Sequence, residues 1–302
     1  MRRSKRSFAS SDAAIRALAL AFATLAACGS DDGPAAPTGG PSVIREGDYT
    51  WELPAGFPKP NVPSDNPISR AKVELGRRLF YDKRLSGNQT ASCASCHDPK
   101  MAFTDGRARA VGSTGELHPR GAMSLVNIGY ANTLTWANDL IPTLEKQALL
   151  PMFGETPVEL GLAGQEDVML ARLRAEPIYA DAFPAAFAGE PEPITLDHVV
   201  KAIATFERTI LSGSSPYDRF VHGHDPTALD AAAQRGRDLF FSERCECFHC
   251  HGNFNFSDNI THAGTVITET AFHNTALYNI DGRGAYPPPS RGLIDVSGKA
   301  AD

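Results

Sequence analysis

The sequence lacks the features of a nucleic-acid-binding or membrane-spanning chain. Its net charge is −6, and no basic block follows the N-terminal segment, so nucleic acid is not an expected partner. The apolar stretch Ala17–Ala23 is too short to span a bilayer. No alternating run of apolar and polar residues predicts a strand, and no methionine follows Met169. What remains is a globular composition, 42% hydrophobic and 21% charged, with enough chain for two domains.

The N-terminus has the pattern of an exported lipoprotein. Positively charged residues precede the apolar stretch, and Leu25-Ala26-Ala27 leads directly to Cys28. This order is typical of a bacterial signal peptide with a lipobox, whose cysteine is lipidated and becomes the mature N-terminus. A plain cleaved signal with an incidental cysteine is the alternative. We expect export to the periplasm and a lipid anchor on Cys28, with Gly29 favouring the outer membrane over the inner one.

A repeated motif organises the rest of the chain. A Gly-Arg-x-Leu-Phe segment ends at Phe80 and precedes a C-x-x-C-H motif, and a second such segment ends at Phe240 and precedes another. In C-x-x-C-H the two cysteines form thioether bonds to haem and the histidine binds the iron. A four-cysteine zinc site would not require the two histidines, and disulfides would not require the repeated spacing. The motifs predict two c-type haems, attached through Cys93, Cys96, Cys247 and Cys250, with His97 and His251 as axial ligands.

The stretch between the two motifs has helical periodicity. Val199, Ile203 and Phe206 recur at spacings that place them on one helix face, with Ile210 continuing the pattern. Thr195 is a predicted N-cap and Gly213 a predicted stop. Residues 167–175 and 228–240 are also predicted helices, so the fold is expected to be all-α.

Four further segments of the chain resemble segments of a known protein family. They are Asp98-Pro99, Ala102-Phe103-Thr104-Asp105-Gly106, Leu144-Glu145-Lys146-Gln147-Ala148 with Pro151, and Phe272-His273-Asn274-Thr275-Ala276-Leu277-Tyr278-Asn279. With them the chain resembles, from Asn66 to Asp302, the bacterial di-haem cytochrome c peroxidase and MauG family. Within this family, the chain is most similar to the MbnH-like branch at Tyr49, Trp51, Gly56-Phe57-Pro58 and residues 112–118. Members of that branch are thought to oxidise a tryptophan on a copper-binding partner protein.

The resemblance implies roles for four residues. Gln147, Pro151 and Glu159 match the distal pocket of the peroxide-reactive haem on His97, where a carboxylate can move a proton between the two peroxide oxygens. A solvated loop acid is the alternative for Glu159. Trp136 matches the tryptophan that lies between the two haems and relays electrons, a core tryptophan being the alternative.

The chain departs from the family pattern in two places. The activating histidine of the peroxidases corresponds to a position near Ser113, while the nearby His118 is either a pocket or a surface residue. The first haem is therefore expected to be open to peroxide without prior reduction. The family also continues beyond Asp302 into a segment that supplies the second haem's distal ligand and calcium ligands, and we expect a truncated C-terminus. Candidates for that ligand are Tyr278, Tyr286, His262 and His273, and Gly121 stands where the family often has a calcium-ligating asparagine.

Together these patterns predict two cytochrome-c-like domains, each with one covalently bound haem. The expected function is a peroxidase-like oxidoreductase that uses hydrogen peroxide to oxidise an aromatic residue of a periplasmic partner protein, such as a copper-binding protein. A cytochrome c peroxidase fed by a small donor cytochrome, and a non-catalytic electron carrier, are the alternatives. Calcium between the haems is a further expected cofactor. The expected divisions are residues 1–28 (signal peptide), 29–48 (flexible tether), 49–225 (N-terminal domain) and 226–302 (C-terminal domain).

Overall fold

A computed structural model describes residues 40–252, 254–268, 272–273, 277–280, 282 and 285–299. Cys28 and most of the predicted tether lie outside these residues. The elements in chain order are β1 (Ser42–Glu46), β2 (Tyr49–Leu53), α1 (Arg70–Phe80), α2 (Cys93–Cys96), α3 (Leu144–Phe153), α4 (Glu166–Arg174), α5 (Pro177–Ala186), α6 (Leu196–Glu207), α7 (Pro216–Val221), α8 (Ala231–Phe240), α9 (Phe248–His251) and α10 (Ile294–Ser297), with short 3-10 turns at Lys83–Leu85, Pro99–Met101 and Ile128–Tyr130.

The core is built from α1, α3 and α6. Apolar side chains on one face of each helix are buried together with those of α4 and α5. Gly76 sets the closeness of the α1–α6 crossing, because a Cβ there would lie 1.9 Å from the carbonyl oxygen of Ala202. Gly76 is thus required by the packing of α1 against α6. In the part of the chain that is described, no helix is long and apolar enough to cross a bilayer.

Helix α6 confirms its predicted start but not its predicted end. The Thr195 side chain accepts a hydrogen bond from the His198 backbone N–H and caps the helix. The helix ends at Glu207, six residues before the predicted stop at Gly213, because the segment that follows it is hydrogen-bonded to the loop at Asn127. The Asn127 backbone N–H donates to Ile210, and its side chain exchanges two hydrogen bonds with Ser212.

A two-stranded antiparallel hairpin was not expected from the sequence. β1 and β2 pair from Ser42 opposite Leu53 to Glu46 opposite Tyr49, so β1 lies within the range predicted as tether. Trp51 is buried and its indole Nε1 donates to Glu46. The hairpin packs into a second apolar cluster, which includes Phe254 from the loop after the second C-x-x-C-H motif. The fold is otherwise helical, as predicted, and the division near residue 225 stays a prediction.

Candidate active site around His97

The first C-x-x-C-H motif forms a single helical turn. Ser95 Oγ accepts a hydrogen bond from the Ser92 backbone N–H, and the His97 backbone N–H donates to Cys93. The imidazole Nδ1 of His97 lies 2.9 Å from the carbonyl oxygen of Phe103. Since a carbonyl only accepts, Nδ1 carries the proton and Nε2 is left for a metal. Burial lowers the pKa of His97, which favours the neutral imidazole that a metal ligand requires.

The second motif repeats this arrangement. The His251 backbone N–H donates to Cys247 at 2.9 Å, and its Nδ1 lies 3.0 Å from the carbonyl oxygen of Phe256. Both histidines are therefore oriented by a backbone carbonyl five or six residues further along the chain. This orientation of the free Nε2 suits an axial haem ligand.

Two adjacent cavities border His97. The larger has a volume of about 430 Å³, within the range of small-molecule and cofactor sites. The smaller, about 70 Å³, is lined by both Cys93 and Cys96. Two thiols and an imidazole on the wall of an apolar cavity fit a covalently attached haem. The residues that line both cavities are Cys96, His97, Ala110, His118, Gln147, Pro151 and Glu159.

The predicted distal residues come together here. Gln147 and Pro151 are four residues apart on α3 and thus share a face. Glu159 is held in its loop because its carbonyl oxygen accepts a hydrogen bond from Ser113 at 2.7 Å. Burial raises the pKa of Glu159, and the charge of His118 opposes this shift. The carboxyl group is thus easier to protonate than a solvated glutamate.

His118 is a pocket residue and not a surface one. Its Nε2 lies 3.7 Å from Oε1 of Glu159. Its Nδ1 accepts a hydrogen bond from the Arg120 backbone N–H, and its carbonyl oxygen accepts one from the Arg109 side chain. Ser113, near the position at which the resemblance predicts the activating histidine, lines the smaller cavity. The histidine of the pocket therefore comes from a position five residues further on.

Trp136 lines the larger cavity and is not a core residue, since 48% of it is exposed. Its indole Nε1 donates to the carbonyl oxygen of Gly121 at 3.0 Å. The Arg120 guanidinium lies over the ring, 5.4 Å from its centroid, a cation–π contact. Arg120 was not singled out from the sequence, although it directly follows His118-Pro119 and its Nε also donates to Ser290.

A ladder of hydrogen bonds joins the segment before Trp136 to the loop after the second motif. Ala131 and Ile260 form an antiparallel bridge, and Thr261 donates to the Tyr130 carbonyl oxygen at 2.7 Å. The Asn259 side chain accepts from the Thr133 backbone N–H and donates to the Thr133 carbonyl oxygen. The segment that leads to Trp136 is therefore hydrogen-bonded to the loop that follows the second motif.

The candidate ligands of the second haem have different partners in the structure. Ligand atoms of His273, Asp258 and Cys250 lie within 4.8 Å of one another, and His273 Nε2 is 2.5 Å from the Asp258 carboxylate. His262 Nδ1 accepts a hydrogen bond from Gly264. Tyr278 packs edge-on against Tyr286. Ligation of the second haem by one of these residues stays a prediction.

Comparison with known proteins agrees with this geometry. The family model described as "Di-haem cytochrome c peroxidase" matches residues 70–226, so the chain belongs to the di-haem cytochrome c peroxidase family. It is 37% identical over 243 residues to the methylamine utilization protein MauG of Methylorubrum extorquens, covering 79% of this chain and 64% of that protein. It is 36% identical over 267 residues to the cytochrome-c peroxidase IdrP1 of Denitromonas iodatirespirans, covering 87% of this chain and 62% of that protein. The chain thus spans less than two thirds of the length of these two relatives.

Among solved structures, the chain is similar to a MauG-like protein associated with microbial copper homeostasis. The TM-score is 0.80 and the sequence identity 49%, over 83% of this chain and 72% of that one. This similarity extends the family assignment to the three-dimensional fold.

Proposed function

We propose that this protein is a di-haem peroxidase-like enzyme that reacts with hydrogen peroxide at a haem held by Cys93, Cys96 and His97. The observation that carries the proposal is the pairing of Glu159 with His118 in the cavity that His97 borders. A carboxyl group of raised pKa beside an imidazole is a proton-transfer device at a place where a haem would be. A pure electron carrier needs no such device.

The chain's own residues supply binding and proton transfer. When bound, haem supplies the redox chemistry of O–O bond cleavage. Glu159 takes the proton from the inner peroxide oxygen at its carboxylate and returns it to the outer oxygen, which leaves as water. His118 stabilises the carboxylate between these transfers. The Gln147 amide orients peroxide by hydrogen bonding, and Pro151, which has no N–H to offer, limits water at the pocket wall.

Trp136 is proposed to share oxidising equivalents with a second haem on Cys247, Cys250 and His251. Its ring borders the His97 cavity, and the hydrogen-bonded ladder at Ala131–Thr133 connects its segment to the loop that follows His251. The Arg120 guanidinium over the ring tunes how readily the indole loses an electron. The calcium ion expected between the haems stays a prediction.

The proposed substrate is an aromatic side chain of a partner protein in the periplasm, with the enzyme tethered through lipid on Cys28. Support comes from the similarity to a MauG-like protein associated with copper homeostasis, which favours a copper-binding partner, and from the exposure of Trp136, which lines the larger cavity.

The test is an optical titration of the haem-loaded, diferric protein with stoichiometric hydrogen peroxide and no reductant. We expect rapid loss of Soret absorbance, slowed about 10²–10⁴-fold in Glu159→Gln. Glu155→Gln, in the same loop but outside both cavities, is the matched control and should react as the wild type. A reaction seen only after one haem is reduced would favour a peroxidase fed by a donor cytochrome. No reaction in either state would leave an electron carrier.

A further inference from the structure

A third cavity lies outside the site described above. It is an open groove of about 570 Å³ at the C-terminal end of α1, and it shares no lining residue with the two cavities at His97. Tyr81, 44% exposed, forms part of its wall. No step of the proposed peroxide reaction uses this groove.

Packed aromatic rings connect the groove to His97. The Tyr81 ring lies edge-on to Phe80 with a centroid distance of 5.3 Å, and the Phe80 centroid is 6.5 Å from that of the His97 imidazole. Phe80 is completely buried. A phenol at the surface is thus joined through one buried ring to the proposed axial ligand. Burial raises the pKa of Tyr81, so its side chain is a neutral phenol.

The second copy of the repeat shows which part of this arrangement is specific. Phe240 lies 6.3 Å from His251 and 5.0 Å from Phe241, close to the distances in the first copy. The ring geometry is therefore common to both copies, but the surface position is a phenylalanine in the second. A phenol can give up an electron together with its hydroxyl proton, whereas a phenyl ring has no such proton. Only the first copy is chemically equipped for this step.

The charge of the groove is also specific to the first copy. Arg78 and Lys83 line it, and neither forms an ion pair in the part of the chain that the structure describes. Arg84, by contrast, is neutralised by Asp82 and Glu176. The positions of Arg78 and Lys83 in the second copy are Asp238 and Glu243, of opposite charge. In a chain of net charge −6, this cationic groove favours a negatively charged ligand.

We propose that Tyr81 is a surface oxidation site, and that the groove binds an anionic aromatic reductant. This inference rests on the proposed peroxide reaction. The Tyr81 phenol gives one electron by way of Phe80 and His97 to the haem oxidised by hydrogen peroxide, and its proton passes to solvent. The resulting tyrosyl radical takes one electron from an anionic aromatic reductant held by Arg78 and Lys83, and one proton from that reductant or, where it has none to give, from solvent. Two such cycles supply the two electrons and two protons that reduce one peroxide to two waters.

The first test is freeze-quench electron paramagnetic resonance of the haem-loaded protein after stoichiometric peroxide, with spin-trap adducts located by peptide mass spectrometry. We expect a tyrosyl signal and an adduct on Tyr81, both lost in Tyr81→Phe. Tyr49→Phe, which removes a half-buried phenol in β2 outside all three cavities, is the control and should keep both. The peroxide-induced Soret change should persist in Tyr81→Phe.

The second test compares reductants of opposite charge in steady state. Tyr81→Phe should lower peroxide-dependent oxidation of the anionic dye ABTS by about tenfold, equal to about 1.4 kcal/mol. Lys83→Glu should raise the KM for ABTS by roughly tenfold or more and leave that for the cationic donor tetramethylphenylenediamine unchanged or lower. An intact Soret reaction with an unchanged radical and unchanged ABTS oxidation in Tyr81→Phe overturns this inference alone. Absence of any Soret reaction in the wild type overturns the proposed function and this inference with it.

Discussion

Replacing Gly76 by alanine tests the packing of α1 on α6. The added Cβ would lie 1.9 Å from the Ala202 carbonyl oxygen and 2.9 Å from the Phe206 side chain, and the first of these is backbone that moves only with its helix. Overpacking of this kind costs about 1–3 kcal/mol, while the alanine returns about 0.5–1 kcal/mol of helix preference. Because the clash is severe, we expect a net loss of about 2 kcal/mol.

The repeat supplies a matched control for this substitution. Gly236 holds the same motif position in α8, but no described heavy atom lies within 4 Å of the place where its Cβ would be. Gly236→Ala should therefore be neutral or stabilise by about 0.5–1 kcal/mol. In thermal unfolding followed by far-ultraviolet circular dichroism, Gly76→Ala should lower Tm by about 4–8 °C. Equal losses in the two variants, at equal haem content, would refute the assignment of Gly76 to helix packing.

Two further substitutions test the buried polar contacts. Arg208 and Glu145 form an ion pair at 2.8 Å with side chains 6% and 15% exposed, so Arg208→Met should cost about 3–5 kcal/mol in urea unfolding. Burial raises the pKa of Glu145, but the hydrogen bonds and charge of Arg208 outweigh this and lower the pKa below the ordinary value of a glutamate. The stabilisation is thus present at neutral pH and lost as the pH falls through the folded-state pKa; a difference between wild type and variant that did not shrink in acid would contradict this. Asn259→Ala removes both hydrogen bonds to Thr133 and should cost about 1–3 kcal/mol, more than Asn61→Ala, which loses one bond to Thr261. If Asn61→Ala lowered the urea midpoint more than Asn259→Ala, the ladder would contribute little to stability.

The features that the sequence predicts are those set by residues close together in the chain. The haem motifs are recognisable because cysteine and histidine must lie within five residues to reach one haem. The start of α6 is predictable because Thr195 caps a helix from three residues away. Gln147 and Pro151 share a face of α3 because they are four residues apart.

The features that the sequence leaves undecided depend on segments distant in the chain. His118 lies in the pocket because its loop packs beside Glu159, about forty residues later. The end of α6 is set by the loop at Asn127, and the hairpin is formed by two strands of only five residues whose burial depends on Phe254. The groove at Tyr81 depends likewise on Tyr179 from α5, which completes its wall.

The ladder between Tyr130–Thr133 and Asn259–Thr261 has a consequence for the timing of electron exchange. Because backbone and side-chain hydrogen bonds join residues 130–133 to residues 259–261 of the loop after His251, a relative movement of these two segments would have to break those bonds. Motions of hinged domains take microseconds to milliseconds and slow with solvent viscosity. If the proposed second haem is bound, electron exchange between the two haems would need no such motion, and its rate should not depend on solvent viscosity.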